Sequence, residues 1–219
     1  MGEVNDDAAL AANRAKRVVE QGYDRVAERH YTWAAGVRQD ERLRHTHDLL
    51  DRLPSGAHVL ELGCGQGVPT THLLAERFSV TGVDISASQL ELARREVPGA
   101  TFIHGDMASV SFPPQSFDGV AAFYSLIHVP REEHAPLLAC IAGWLRSGGL
   151  LVATMGVRDT PGEVEDDWLG APMYWSHWDA ATNRRLVADA GLRILSATEE
   201  TADEDGAPVT FLWILAQKP

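Results

Sequence analysis

Cysteine is scarce: Cys64 and Cys140 are the only two in 219 residues. Two cysteines make no disulfide framework. No apolar run approaches the roughly 18 residues that a membrane span requires, so no membrane partner is expected. The opening stretch MGEVNDDAALAANRAKRVVEQG has no apolar h-region and does not read as a secretory signal. These absences point to a cytoplasmic protein. Basic charge is also short, with 19 Lys and Arg against 31 Asp and Glu and a net charge of −12. A nucleic-acid binder normally carries a basic stripe. Here only Arg14/Lys16/Arg17 and Arg38/Arg42/Arg44 cluster, both interspersed with acids, and both read as solvated helix faces. Nucleic acid is therefore not the expected partner.

What is present fits one domain, or one domain with a small appendage. Hydrophobic residues make up 45% and charged residues 23%, ordinary values for a globular chain. Helical patterning covers Asp6–Val19, Tyr23–Trp33 and Asp40–Leu53, where Pro54–Gly56 ends it. Strands then alternate with helices. The expected strands are His58–Leu62, Phe78–Ser86, Ala100–Asp106, Phe117–Phe123 and Gly148–Met155. The helices between them are Val68–Arg77, Ser86–Glu96 and Arg131–Arg146. This alternation predicts a doubly wound α/β fold with a parallel sheet. A helix over Asp179–Ala190 with Gly191 as its stop follows, then strands over Leu192–Thr198 and Val209–Gln217. The DEDGAP turn between the last two predicts an antiparallel pair.

The strongest local signal is VLELGCGQGVPT, which delivers Glu61, then Gly63, Gly65 and Gly67, and then a helix. Glycines there let the backbone turn tightly and approach a ligand, as at nucleotide sites in open α/β sheets. Asp84 ends the next strand, about 20 residues on, where a carboxylate can accept both ribose hydroxyls. Asp106 ends the third strand and can accept from an adenine amino group, with Met107 beside it to pack on the ring. Each signal is weak alone, and Asp84 could merely cap a helix. Three at successive strand ends are far more specific.

With these residues in view, the chain resembles the class I S-adenosylmethionine-dependent methyltransferases of small-molecule type. The matching pieces are ELGCGQG, GVDIS, GDM, FDGVAAFYSLIHVP and LRSGGLLVATMG. The resemblance implies a Rossmann-like, mostly parallel seven-stranded sheet with an antiparallel last strand, and S-adenosyl-L-methionine as cofactor, leaving as S-adenosyl-L-homocysteine. It implies that Gly63, Cys64, Gly65 and Gly67 lie along the methionine part, with Glu61 two residues ahead of the first glycine. Asp84 and Ile85 would meet the ribose, and Asp106 and Met107 the adenine. Phe123, Tyr124 and His128 would stand near the sulfonium end. YDRVAERHY, from Tyr23 to Tyr31, is similar to the segment that closes over the cofactor in such enzymes. The expected division is a helical cap over 1–53 and a cofactor-binding catalytic domain over 54–219, with a lid insertion at about 156–178.

Methyl transfer from a sulfonium is an in-line displacement governed by positioning and water exclusion. It requires no metal, and it needs a general base only for an acceptor with a high pKa. His177 is the preferred base if there is one, and is otherwise packed or solvent-facing; His128 reads first as part of the cofactor wall and second as a base. His45 and His47 point to different helix faces and make no metal site. DWLGAPMYWSHWD, Asp167 to Asp179, emerges where the methyl group would sit. It is too aromatic for a linker and reads as a substrate wall of Trp168, Met173, Tyr174, Trp175 and His177, with Trp178 divided between wall and core. Ser176 reads as the following helix's N-cap. Glu163, Glu165, Asp166 and Asp167, with Glu199, Glu200, Asp203, Glu204 and Asp205, form either solvated loops or an acidic rim steering a cationic acceptor. The expected activity is methylation of O or N on a small-molecule metabolite by a monomer or homodimer. A protein methyltransferase, and a cofactor-binding protein without transferase activity, stay open.

Overall fold

The computed structural model describes residues 2–34, 36–37 and 39–219, with side chains from Asp7 onward apart from Ala8. Arg38 of the second basic cluster therefore lies outside the described residues. Among the described residues, six α-helices and nine strands appear in the order α1 (Gly2–Ala34), α2 (Gln39–Leu50), β1 (His58–Leu62), α3 (Thr70–Ala75), β2 (Ser79–Asp84), α4 (Ala87–Glu96), β3 (Thr101–His104), β4 (Phe117–Ala122), α5 (His134–Trp144), β5 (Leu145–Met155), β6 (Thr160–Trp168), β7 (Ala171–His177), α6 (Ala180–Asp189), β8 (Arg193–Glu204) and β9 (Ala207–Gln217). Seven strands form one sheet in the order β3-β2-β1-β4-β5-β9-β8. Its neighbours are parallel from β3 to β5, and β9 runs antiparallel to both β5 and β8. The mostly parallel sheet with an antiparallel last strand is thus as the sequence predicts.

Strand alternation sends successive side chains to opposite faces. Leu60, Val120, Leu151 and Ile214 join one core with Leu137, Leu138 and Ile141 of α5 and Val187 of α6. Val59, Ala121, Val152 and Trp213 join the other with Leu49, Leu50 and Leu53 of the α2 end and Leu74 of α3. Both faces are covered, so the central strands read as continuous apolar runs. The order reverses beside β1, where the chain runs outward to β2 and β3 and then returns to β4. Ligands of open α/β sheets bind at such a switch point, outside the carboxyl ends of the strands.

Three sequence expectations need correction. The two N-terminal helices are one continuous α1, because Glu20, Gln21 and Gly22 form no break and Gly22 is needed as a small residue: a Cβ there would lie 2.6 Å from the Pro172 carbonyl oxygen. The stretch expected to be a lid loop is a two-stranded hairpin, β6–β7, in a sheet of its own. Its turn places Leu169 (φ 53) and Gly170 (φ 92) both in the left-handed region, the geometry of a two-residue hairpin turn. Finally, the N-cap of α6 is Asp179, whose side chain accepts from the Thr182 amide. Ser176 is instead fully buried, its hydroxyl accepting from the Arg131 amide. Trp178 precedes the cap, with its indole N–H on the Arg131 carbonyl and its ring under the Arg131 guanidinium at 4.0 Å.

Candidate active site

Two cavities meet at the carboxyl edge of the sheet. The inner one begins at the glycine turn. The amides of Gly63 and Cys64 both donate to the Val83 carbonyl, and the Gly65 amide donates to the Asp84 carboxylate at 2.8 Å. Gly63 has φ +74 and no room for a side chain, since a Cβ would lie 2.3 Å from the Ser125 Cβ. The Ser125 hydroxyl in turn donates to the Leu62 carbonyl, tying the end of β4 to the end of β1. Tyr124, at that same strand end, is held at φ 53. A bulky residue in this region stores strain of order 1–3 kcal/mol, and such strain clusters at functional sites.

The acids are arranged by burial. Glu61 is enclosed, and burial pushes its carboxyl up to about 8 even though the Thr71 hydroxyl donates to it. Asp84 is also raised by burial, offset by the Ser86 and Gly65 amides it accepts. Burial would raise Asp106 too, but hydrogen bonds from Lys16, Ser109 and Ala108 outweigh it and hold the carboxyl below the usual range. Burial pushes the Cys64 thiol well up, so Cys64 is a packed residue with its sulfur against Gly82.

Helix α1 is strapped across this edge. Asp24 accepts from the Ser86 hydroxyl and the Ser88 amide at the start of α4. Lys16 bridges Asp106 and Glu133 at 2.7 and 2.6 Å. The Tyr23 hydroxyl stands 2.9 Å from His128 Nε2. His128 Nδ1 lies 2.8 Å from the Tyr174 carbonyl, which can only accept. The ring therefore carries its proton on Nδ1 and accepts from Tyr23 on Nε2. Burial pushes its pKa down to about 4, so it is neutral.

The outer cavity lies between α1, the β6–β7 hairpin and the tip of the β8–β9 hairpin, and Trp33, Trp168, Trp175, His177 and Phe211 are in its wall. The Trp168 ring meets Tyr23, Trp33 and Trp175 edge-on at 5.5, 5.7 and 5.7 Å. The indole N–H groups of Trp33 and Trp175 donate to Asp205 and Glu165. His177 Nδ1 lies 2.6 Å from the Arg158 carbonyl, which fixes the ring's proton on Nδ1 and leaves Nε2 as the basic nitrogen. Arg42 lines both cavities, its guanidinium 4.7 Å from the centre of the Tyr124 ring.

Residues 59–149 match the family model described as a methyltransferase domain. The trans-aconitate 2-methyltransferase of Paracidovorax citrulli is 41% identical over 123 residues, covering 53% of this chain and 46% of the relative. The chain spans about half the length of the curated relatives it matches. Among solved structures, the 1,6-didemethyltoxoflavin N1-methyltransferase of Burkholderia thailandensis superposes with a TM-score of 0.70 at 20% identity, covering 94% of this chain and 90% of that one. The [4+2]-cyclase SpnF superposes at 0.72 and 20% identity, covering 94% and 96%. The chain thus shares the fold of these structures, and its residues 59–149 match a methyltransferase domain.

The inner cavity is lined by Tyr23, Glu61, Gly63, Cys64, Gly65, Asp84, Ile85, Asp106, Met107, Phe123, Tyr124 and His128. Gly67 stands outside the lining, packed against Val97 and Ala93. Tyr31 lines neither cavity: eight residues turn a helix about 80° away from Tyr23. Trp168, Trp175 and His177 line the outer cavity. Met173 does not; it is fully buried under Gly22 of α1. Tyr174 enters through its backbone carbonyl, while its hydroxyl lies against Gly162. The two basic clusters are not plain solvated faces, since Lys16 and Arg42 turn into the inner cavity. Sequence reasoning also passed over His30, Trp33 and Gln66. His30 is neutral, its pKa pushed to about 4 by burial and by Arg42. Of the acids, Glu163, Glu165, Glu204 and Asp205 line the outer cavity, whereas Glu199 pairs with Arg184, and Glu200 with Arg44 and His45.

The inner cavity fits S-adenosylmethionine by its own chemistry. The Gln66 side-chain oxygen is buried in its wall beside His30 and makes no hydrogen bond of good geometry among the described residues. A buried unsatisfied acceptor calls for a ligand donor. Two glycines with positive φ keep the wall free of side chains, and a carboxylate stands at each of three strand ends.

Proposed function

We infer that the protein is an S-adenosylmethionine-dependent methyltransferase acting on O or N of a small molecule. The observation that carries this reading is the continuity of the two cavities through Tyr23, His30, Arg42, Tyr124 and His128, which line both. Bound S-adenosylmethionine would supply a sulfonium-activated methyl group. Asp84 would accept from its ribose, Asp106 and Met107 would hold the adenine, and the glycine turn would pass along the methionine part. Glu61 and Arg42 suit the ammonium and carboxylate of its amino-acid end. Tyr23 and His128, each fixed by the other, would form the wall beside the transferring methyl.

Positioning of this kind supplies most of what an in-line displacement needs. His128 is a poor base, because both ring nitrogens are engaged and its proton affinity is low. His177 keeps a free basic tautomer in the outer cavity and is the better candidate for removing an acceptor proton. The helical strap over 1–53 and the hairpin within 156–178 would close the site against water. No helix of the described residues is long and apolar enough to cross a membrane.

The test is transfer of isotope-labelled methyl from S-adenosylmethionine to a panel of amines, phenols and carboxylic acids. Release of S-adenosylhomocysteine dependent on an acceptor supports the reading. Cofactor binding with no turnover on any acceptor favours a binding protein, and labelling of protein favours a protein methyltransferase. A carboxylate acceptor is a second reading, because the relatives are named for trans-aconitate and Arg42 stands where the cavities join. The panel therefore includes trans-aconitate.

A further inference from the structure

The outer cavity has a chemistry of its own. Trp33, Trp168 and Trp175 come from three different elements, yet the Trp168 ring meets the other two nearly at right angles, 78° and 85°. They form the corner of an aromatic box. Two of these indoles donate their N–H to carboxylates, Trp33 to Asp205 at 3.0 Å and Trp175 to Glu165 at 3.1 Å. Such a bond fixes a negative charge at the ring edge and enriches the ring face in electron density. Both effects favour a cation over the ring. Glu163 lies two residues from Glu165 on β6, opposite Trp175, and so presents its carboxylate on the same side of the hairpin.

The positive groups do not cancel this arrangement. Arg42 is at the inner junction, over Tyr124. Arg158 lines the outer cavity but is exposed, and the carboxylates of Glu163, Glu165, Glu204 and Asp205 outnumber the two arginines there. His30 and His128, which also line the cavity, are held neutral by burial. Carboxylates at the rim and indoles within also give a gradient of potential that draws in cations.

We propose that the acceptor carries an ammonium group, held in the box of Trp33, Trp168 and Trp175 and neutralised by Glu163, Glu165 and Asp205. This rests on the methyltransferase reading above, because it names the substrate class of the same site. Steering by these carboxylates makes recognition of the acceptor sensitive to salt, while the inner cavity's grip on S-adenosylhomocysteine is not.

The experiment is calorimetric titration of the full chain with benzyltrimethylammonium, benzyl alcohol and benzoate, with S-adenosylhomocysteine present. The fixed charge of the first probe removes any question of its protonation. It is expected to bind at least tenfold more tightly than the other two. Its affinity should fall about tenfold in the Glu163→Gln/Glu165→Gln variant, and again in Trp168→Phe. Equal binding of benzyl alcohol or benzoate, or an unchanged cation affinity in the charge variant, overturns the proposal. S-adenosylhomocysteine is titrated alone into each variant as well. If it fails to bind the parent chain, the methyltransferase reading falls by that curve, separately from the cation curves. Unchanged S-adenosylhomocysteine affinity in the variants, with cation binding lost, supports the ammonium box.

Discussion

The inner and outer cavities are built in opposite ways. The inner one hangs on the ends of β1, β2, β3 and β4, through short segments at or just past a strand's end: Glu61 to Gly65, Asp84 to Ile85, Asp106 to Met107 and Phe123 to Ser125, with Lys16, Tyr23, His30 and Arg42 closing it from α1 and α2. The parallel register fixes those ends beside one another, with Leu62 opposite Val83 and Glu61 opposite Ala121. The outer cavity has no such frame. Trp33 comes from α1, Trp168 and Trp175 from the β6–β7 hairpin, and Asp205 from the β8–β9 turn. Its shape depends on contacts between elements far apart in the chain. A sheet edge of this kind suits a constant cofactor, and an assembly of appendages suits an acceptor that differs from protein to protein.

The sharpest break of this contrast is Gly63→Ala. The new Cβ would meet Ser125 at 2.3 Å and a left-handed backbone at φ +74. Calorimetry should find S-adenosylhomocysteine affinity reduced about 100-fold, with the outer cavity intact to benzyltrimethylammonium. Trp168→Ala should do the reverse. Loss of a ring from the box is expected to raise the acceptor KM about tenfold while the S-adenosylhomocysteine Kd stays within twofold, read from steady-state kinetics and calorimetry. Tyr23→Phe tests the seam between the two. It removes one buried hydrogen bond to His128, a loss of about 1 kcal/mol. A fall of about fivefold in kcat is expected, with both binding constants little changed.

A different kind of effect is one of pH. Glu61 titrates at about 8 when folded, above its ordinary 4.5. Between those values the folded chain holds a proton that the unfolded chain has released, so the contribution of Glu61 to stability falls as pH rises. Glu61→Gln keeps an acceptor for Thr71 but has no proton to lose. Its Tm relative to the parent should therefore climb from pH 5 to pH 8. A constant difference would show that Glu61 is ionised in the folded protein.

How much of this was legible in the sequence follows the same division. Strand ends with their glycines and acids are local, so ELGCGQG, Asp84 and Asp106 were found by spacing. The β8–β9 turn was found because Asp205-Gly206 is a favoured dipeptide for two left-handed residues, and the structure has φ 52 and 86 there. The β6–β7 hairpin was missed because Leu169-Gly170 makes the same turn with an aliphatic residue in the first place. Without the hairpin, side-chain alternation cannot be assigned from sequence, and Met173 reads as a pocket residue although it is fully buried. Nothing local in the sequence marks Arg42 and Lys16 as half-buried cations. Only the packing of α1 and α2 on the sheet edge encloses them.

The most direct measurement is calorimetric titration of the full chain and of Asp84→Ala with S-adenosylmethionine, S-adenosylhomocysteine and NADH. The structure has the Asp84 carboxylate accepting from the Gly65 and Ser86 amides at the end of β2, at the floor of the inner cavity. Micromolar binding of both adenosyl compounds, lost in Asp84→Ala and absent for NADH, is the predicted result. Binding of NADH alone, or of none of the three, would contradict the account and leave the glycine turn as a structural feature.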